Sequence, residues 1–229
     1  MQKMIREVAS LNKMAVSCLQ AGRYQDAIAL LSKAMRFAHK TSAQDFESDM
    51  RHASESTMNS EVTSTSEVGP SMCSLPDVTR ESCDNPFTVY ARPFLIDDTA
   101  FVPMSVIHLT LTFNAGLVYQ HRGLTKNCVA DLKVASRYYE RALGIVHLNA
   151  VEGFASNGMY WMTLALLTNK ASLLWHFWDI EKAFACQKRL KMLLDGQESF
   201  SLPSEEGFFF ECVVWQGEAF GERNVAPAA

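Results

Sequence analysis

The side chains that most often perform catalysis or bind metals are scattered along this 229-residue chain. None of its six histidines lies three or four residues from another, the spacing that puts two imidazoles on one helix face beside a metal ion. Its six cysteines contain no C-x-x-C pair of the kind found in zinc and redox sites. We therefore expect no metal ion and no bound cofactor.

The sequence also lacks a recognisable nucleophile, catalytic carboxylate pair or phosphate-binding loop. Residues 153–158 read Gly-Phe-Ala-Ser-Asn-Gly, which places one residue too many between the first glycine and the serine of a nucleophile elbow. Asp97 and Asp98 are adjacent in a predicted loop, without the apolar surroundings that tune a catalytic carboxylate. We therefore predict that the protein is not an enzyme.

Charge and hydropathy narrow the class of partner. A net charge of -4 is too small to suggest a nucleic acid or a membrane surface. The longest apolar stretch, residues 159–167, is much shorter than the ~20 residues of a transmembrane helix. The chain opens with an amphipathic pattern and not with a signal segment. We expect an intracellular protein, with the cytoplasm as the default compartment and the nucleus as the alternative.

Helical periodicity dominates residues 4–38, where apolar side chains form two stripes separated by Gly22. The first stripe consists of Ile5, Val8, Leu11, Ala15, Cys18 and Leu19. The second consists of Tyr24, Ala27, Ile28, Leu31, Ala34, Met35 and Ala38. Two amphipathic stripes joined by a short glycine turn predict an antiparallel helical hairpin.

The same pattern returns twice. The second occurrence runs from residues 113–119 through Gly123 to Ala135, Tyr139 and Ala142. The third runs from residues 168–174 through Trp178 to Ala183, Gln187 and Leu190. Asp179 is suited to cap the last helix and Gly196 to end it. The sequence therefore predicts an all-α protein of about three antiparallel helical hairpins.

These units resemble the tetratricopeptide repeat (TPR). The segment Gly-Arg-Tyr-Gln-Asp-Ala-Ile at residues 22–28 is similar to the turn and second-helix opening of that motif, and Leu31 and Ala34 occupy its next large and small positions. The second unit matches at Asn114, Gly116, Tyr119, Gly123, Ala135, Tyr139 and Ala142, with extra residues between Gly123 and Ala135. The third has Trp178 in place of the turn glycine and Gln187 in place of an aromatic residue. The layout also resembles stand-alone TPR proteins of microalgae, and the resemblance implies a TPR-like superhelix.

Composition divides the chain into four parts. Residues 1–40 form the first hairpin, and residues 41–86 are an acidic insert with fifteen Ser or Thr that we interpret as disordered. Residues 87–196 comprise an extended segment, interrupted at Pro93, and the second and third hairpins. Residues 197–229 are interpreted as a capping helix and tail, because a solenoid needs its exposed end covered. Alternating apolar residues around Phe210 keep a strand open as the alternative there.

The resemblance also implies where a partner binds. In a TPR array the first helices of successive units line a concave groove that holds a peptide or a helix. The candidate groove residues are Asn12, Val16, Leu19, Phe113, Asn114, Leu117, Gln120, His121, Thr168, Ser172, Trp175 and His176. Phe113 and Leu117 are equally suited to packing against the neighbouring hairpin. An apolar groove of this kind favours a protein ligand with hydrophobic anchors.

Acidic chaperone tails are disfavoured as ligands. TPR proteins that bind such tails clamp the terminal carboxylate with Lys, Arg and Asn, and only Asn114 remains at those positions. In the first unit these positions are occupied by Asn12 and Val16, and in the third by Ala165 and Asn169. Without fixed positive charge, a carboxylate gains little on leaving water.

Two functions remain open at this point. The first is a non-catalytic adaptor whose groove binds a peptide or helix of another protein. The second is a structural or assembly component, with the groove filled by residues 87–102, by residues 208–215, or by a second copy of the chain in a homo-oligomer.

Overall fold

The computed structural model describes residues 2–52, 71–72, 89–98, 102–151, 157–196 and 209–215. Its helices are α1 (Gln2–Gln20), α2 (Tyr24–His52), α3 (Met104–Thr125), α4 (Val129–Val151), α5 (Asn157–His176), α6 (Ile180–Asp195) and α7 (residues 209–215). Two short strands, β1 (Ser71–Met72) and β2 (Phe94–Leu95), pair antiparallel. The predicted all-α fold of helical hairpins is confirmed.

The three hairpin turns share one backbone geometry. Each places one residue in the left-handed region, namely Gly22 at φ 69°, Asn127 at φ 50° and Trp178 at φ 58°. The next residue then donates its N–H to the carbonyl five positions back, as Arg23 does to Cys18, Cys128 to Gly123 and Asp179 to Leu174. This pattern satisfies carbonyls that a helix end leaves without partners.

The second turn does not lie at Gly123, where the sequence placed it. α3 continues to Thr125, and the chain turns at Asn127. Gly123 is buried within the helix, and a Cβ added there would come within 2.5 Å of Leu132 on α4. The glycine therefore allows two helices to approach closely, which a sequence pattern does not distinguish from a turn glycine.

The first hairpin also extends further than predicted. α2 runs to His52, so residues 41–52, assigned to the insert, are helical. These residues include no Pro or Gly, and nothing in the local sequence stops the helix. Residues 71–72 form β1. The remainder of the predicted disordered insert lies outside the described residues, as do residues 197–208 and 216–229.

Helices α1 to α6 stack in chain order, each packing against the next, and α1 also contacts α3. One apolar core runs through all three hairpins, with Leu31, Phe113 and Leu164 among its fully buried members. β2 contacts both α1 and α3. The first helices of successive hairpins therefore share a surface on which an extended stretch of chain lies.

The close packing of α3 against α4 can be tested by comparing two glycine-to-alanine substitutions, one at a close contact and one in open space. A Cβ on Gly116 would come within 2.6 Å of the Tyr139 ring, whereas one on Gly144 would meet nothing within 4 Å. We expect Gly116→Ala to lower the free energy of unfolding by about 1–2 kcal/mol, because overpacking outweighs the better helix propensity. Gly144→Ala should raise it by roughly 0.5–1 kcal/mol, since only the propensity changes. Urea denaturation measures both, and stabilisation by Gly116→Ala would contradict the packing.

Candidate functional site

Residues 89–98, here called the internal segment, form an extended stretch that lies against α1, α3 and α5. Tyr90, Phe94 and Ile96 are buried in it, with exposed fractions of 3%, 0% and 7%. Its contacts reach residues far away in the chain, since Tyr90 bonds to Asn169 and Phe94 to Asn12. The surface formed by α1, α3 and α5 is therefore occupied by the protein's own chain.

Phe94 is held by two asparagine amides, here called the first clamp. The Asn114 side chain accepts the Phe94 N–H at 3.0 Å and donates to the Phe94 carbonyl at 2.7 Å. Asn12 donates to the same carbonyl at 3.0 Å, and its own amide oxygen accepts from Asn114 at 2.8 Å. Asn12 and Asn114 are both almost fully buried, so these bonds are shielded from water.

Asn169 forms the second clamp. Its amide oxygen accepts the Tyr90 N–H at 2.6 Å, and its amide nitrogen donates to the Tyr90 carbonyl at 3.1 Å. The same nitrogen donates to the Tyr139 hydroxyl at 3.2 Å, which donates in turn to Gln120 at 2.7 Å. Burial raises the pKa of Tyr139, so the hydroxyl remains a protonated donor.

The clamps bond the backbone of two residues of the internal segment, Tyr90 and Phe94, which are four apart in the sequence. Within this segment, β2 covers Phe94 and Leu95, which pair with Met72 and Ser71 of β1. The clamp amides therefore bond the N–H and carbonyl groups of the internal segment, as the backbone of a neighbouring strand would.

Aromatic rings surround the clamped residues. Phe94 contacts Phe113 edge-on at 5.0 Å between ring centroids, and Tyr90 stacks on Phe210 of α7 at 5.4 Å. Phe210 in turn lies 6.0 Å from Trp161. Aromatic pairs at such distances add to the burial energy of the rings. α7 therefore covers the internal segment, and is a helix rather than the alternative strand.

A comparison with protein-family models, curated proteins and solved structures finds no match.

Three of the candidate groove residues contact the internal segment. Asn12 and Asn114 bond to Phe94, and Phe113 packs against its ring. The other buried candidates are Val16, Leu19, Leu117, Gln120, Thr168, Ser172 and Trp175. Leu117 belongs to the apolar core, as Phe113 also does.

Candidates nearest the helix ends lie in other surroundings. Trp175 packs edge-on against Phe184 of α6, in a small cluster within the third hairpin. His176 is exposed, and His121 is half-buried.

Three residues of this site were not among the candidates. Asn169 was noted only as a replacement for a basic residue, and Tyr90 and Phe94 only as part of an extended stretch. One signal was available: an asparagine occurs on the first helix of every hairpin, at Asn12, Asn114 and Asn169. Asparagine has no advantage inside a helix, so its recurrence there indicates hydrogen bonding.

The described residues hold no other recognisable site. Within the described ranges, no group of three His, Cys, Asp or Glu side chains could hold a metal ion. None of the helices in the described part of the chain has the length and apolarity that a bilayer crossing requires. Cys18, Cys128 and Cys186 are free thiols.

A histidine pair lies where the first hairpin meets the second. The rings of His39 on α2 and His108 on α3 are 4.8 Å apart, and Arg141 on α4 reaches His39 at 3.3 Å. Burial, followed by the nearby His39 and Arg141, lowers the pKa of His108. Burial also lowers the pKa of His121.

We expect the fold to lose stability as the pH falls below about 6.5, the pKa of histidine in an unfolded chain. The pKa values of His108 and His121 are lower in the folded protein than in the unfolded chain. As the pH falls, the unfolded chain therefore binds protons first, and stability that is present above about pH 6.5 is lost below it. The urea midpoint should be lower at pH 5.5 than at pH 7.5. His108→Gln should weaken this pH dependence, and His147→Gln, at an exposed position, should not. An unchanged dependence in His108→Gln would contradict the assignment.

Proposed function

We propose that this protein is a non-catalytic adaptor of the TPR type, whose concave groove binds an extended segment of another protein. One observation carries the proposal: the two clamps bond both backbone groups of Phe94 and Tyr90, four residues apart. Side-chain amides that bond a peptide backbone can hold a strand without requiring particular side chains. Specificity then comes from the aromatic positions between the clamps.

The repeated hairpin turns support the TPR-type assignment, because Gly22, Asn127 and Trp178 occupy one equivalent position in three successive units. The free thiols of Cys18, Cys128 and Cys186 agree with a reducing, intracellular location, for which the cytoplasm is the proposed compartment. Neither a nucleic acid nor a membrane is proposed as a partner. Chaperone tails remain disfavoured, because both clamps are uncharged.

The second candidate is a structural component with a permanently filled groove. The near-complete burial of Tyr90 and Phe94 favours it, since the internal segment and α7 form part of the continuous core. In that case the internal segment serves to join the hairpins, and the groove binds no partner. The two candidates differ in whether the groove can accept a second chain.

A pull-down with a matched pair of variants tests the adaptor. The open variant carries Tyr90→Ser and Phe94→Ser, which remove both buried rings of the internal segment. The control variant carries Arg92→Ser and Leu95→Ser, at half-buried positions of the same segment. Circular dichroism establishes that each is folded. We expect the open variant to capture from native lysate a partner that the control variant captures less well. Identical partner lists from two folded variants would favour the structural candidate.

A further inference from the structure

We infer that the groove's ligand is an extended peptide with aromatic side chains four residues apart, and that the internal segment is a built-in substitute which such a ligand must displace. This inference rests on the proposed function and deepens it. It names the ligand's chemistry and the reason that the groove is filled in the protein alone.

The spacing follows from the positions of the clamps. The residues that the clamps on α3 and α5 bond are four apart in the internal segment, and their rings stack at 6.1 Å between centroids, so a ligand must present two aromatic residues at the same spacing. Each clamp bonds both an N–H and a carbonyl of a single residue. A proline cannot occupy either clamped position, because it has no N–H to donate.

Aromatic side chains at those positions follow from the rings that receive them. Phe94 contacts Phe113 at 5.0 Å, and Tyr90 lies between Phe94 at 6.1 Å and Phe210 at 5.4 Å. The two ligand rings therefore continue a column of rings that the helices provide. A smaller side chain would leave a cavity in this column.

The ligand is a stretch within a polypeptide chain, away from its C-terminal carboxylate, and it runs in one direction along the groove. Phe94 lies on the first clamp and Tyr90 on the second, so the internal segment runs from the third hairpin towards the first. Both clamps are neutral amides that accept an N–H and donate to a carbonyl. They match an uncharged peptide unit and not a terminal carboxylate, which requires positive charge.

A free peptide must compete with the internal segment for the two clamps. The internal segment is tied to α3 through residues 99–103, so it competes with any free peptide as an intramolecular ligand. Ligands tethered by a short connection reach effective concentrations on the order of millimolar. A free peptide must exceed that concentration in the unaltered protein, whereas in the open variant the competition is weakened.

Fluorescence anisotropy with a synthetic peptide tests the inference. The probe has the sequence of residues 87–98, Phe-Thr-Val-Tyr-Ala-Arg-Pro-Phe-Leu-Ile-Asp-Asp, with a dye at its N-terminus. We expect it to bind the open variant at least 10-fold more tightly than it binds the control variant or the unaltered protein. A second peptide, with Ser in place of the residues corresponding to Tyr90 and Phe94, should bind the open variant at least 10-fold more weakly.

Amide hydrogen exchange on the unaltered full chain provides a measurement that does not depend on the open variant folding. Millimolar unlabelled peptide should speed exchange at the Tyr90 and Phe94 amides of the protein, while α3 and α5 stay protected. The serine-substituted peptide should not. Unchanged exchange in the internal segment at saturating peptide would overturn the inference, as would equal affinity of the two peptides for a folded open variant.

The outcomes also separate the inference from the proposed function. If the peptide binds as expected but no protein is captured from lysate, the ligand chemistry stands and the adaptor role fails. If a partner is captured that the peptide does not displace, the adaptor role stands and the inferred ligand is wrong.

Discussion

Replacing Phe94 with alanine is expected to lower the free energy of unfolding by about 3–5 kcal/mol, the usual cost of removing a fully buried phenylalanine. Its side chain has 0% exposure and contacts the rings of Phe113 and Tyr90. Urea denaturation followed by circular dichroism measures the change. The effect should be large for a residue outside the helices, because the internal segment completes the core of the hairpin stack.

Leu95 provides the control for this prediction. It is adjacent to Phe94 but half-buried, because alternate side chains of an extended chain point to opposite sides. We expect Leu95→Ala to cost less than about 1.5 kcal/mol, since only part of its apolar surface is removed from water on folding. Equal losses for the two substitutions would show that the internal segment is not packed in this register.

Amide exchange in Phe94→Ala also distinguishes local release of the internal segment from loosening of the whole core. If Phe94→Ala weakens its docking without loosening the hairpins, amide exchange will accelerate in residues 89–98 while the helices stay protected. If the segment is an inseparable part of the core, exchange will accelerate in all the described helices together. The first result agrees with a displaceable ligand, and the second with a permanently filled groove.

The hairpins were predictable because the signals that define them are local. Apolar residues at helical spacing identified both helices of each unit, and Gly22 marked a turn that needs a positive φ. The second turn was misplaced because Asn127 also adopts this conformation, while Gly123 serves close packing against Leu132. A single sequence does not reveal which neighbour a glycine approaches.

The candidate site was predictable only in part, because the groove is completed by contacts between distant residues. Asn12, Phe113 and Asn114 follow from the alignment of the first two hairpins. The bond between Tyr90 and Asn169 joins residues 79 positions apart, and no periodicity connects an extended segment with a helix that far away. Trp175 packs edge-on against Phe184 of α6, a contact that the groove prediction did not include.

Replacing Asn169 with alanine is expected to cost about 2–6 kcal/mol, because at least two buried backbone groups lose their partners at about 1–3 kcal/mol each. The Tyr90 N–H and carbonyl both bond to this amide, which has 0% exposure. The Tyr139 hydroxyl also loses a donor, although it keeps its bond to Gln120. Chemical denaturation measures the loss.

The adjacent Lys170 is the control. Its ammonium group lies 3.4 Å from the Glu140 carboxylate, and the Glu140 side chain is 57% exposed. Such an ion pair contributes roughly 0–1 kcal/mol, and the Lys170 side chain, 17% exposed, also loses the packing of its stem, so Lys170→Ala should cost less than Asn169→Ala. A double-mutant cycle of Asn169→Ala with Tyr139→Phe should give a coupling energy of about 0.5–3 kcal/mol, as for residues that share one hydrogen-bond network. Independent effects in that cycle would mean that Asn169 holds the internal segment without help from the Tyr139 network.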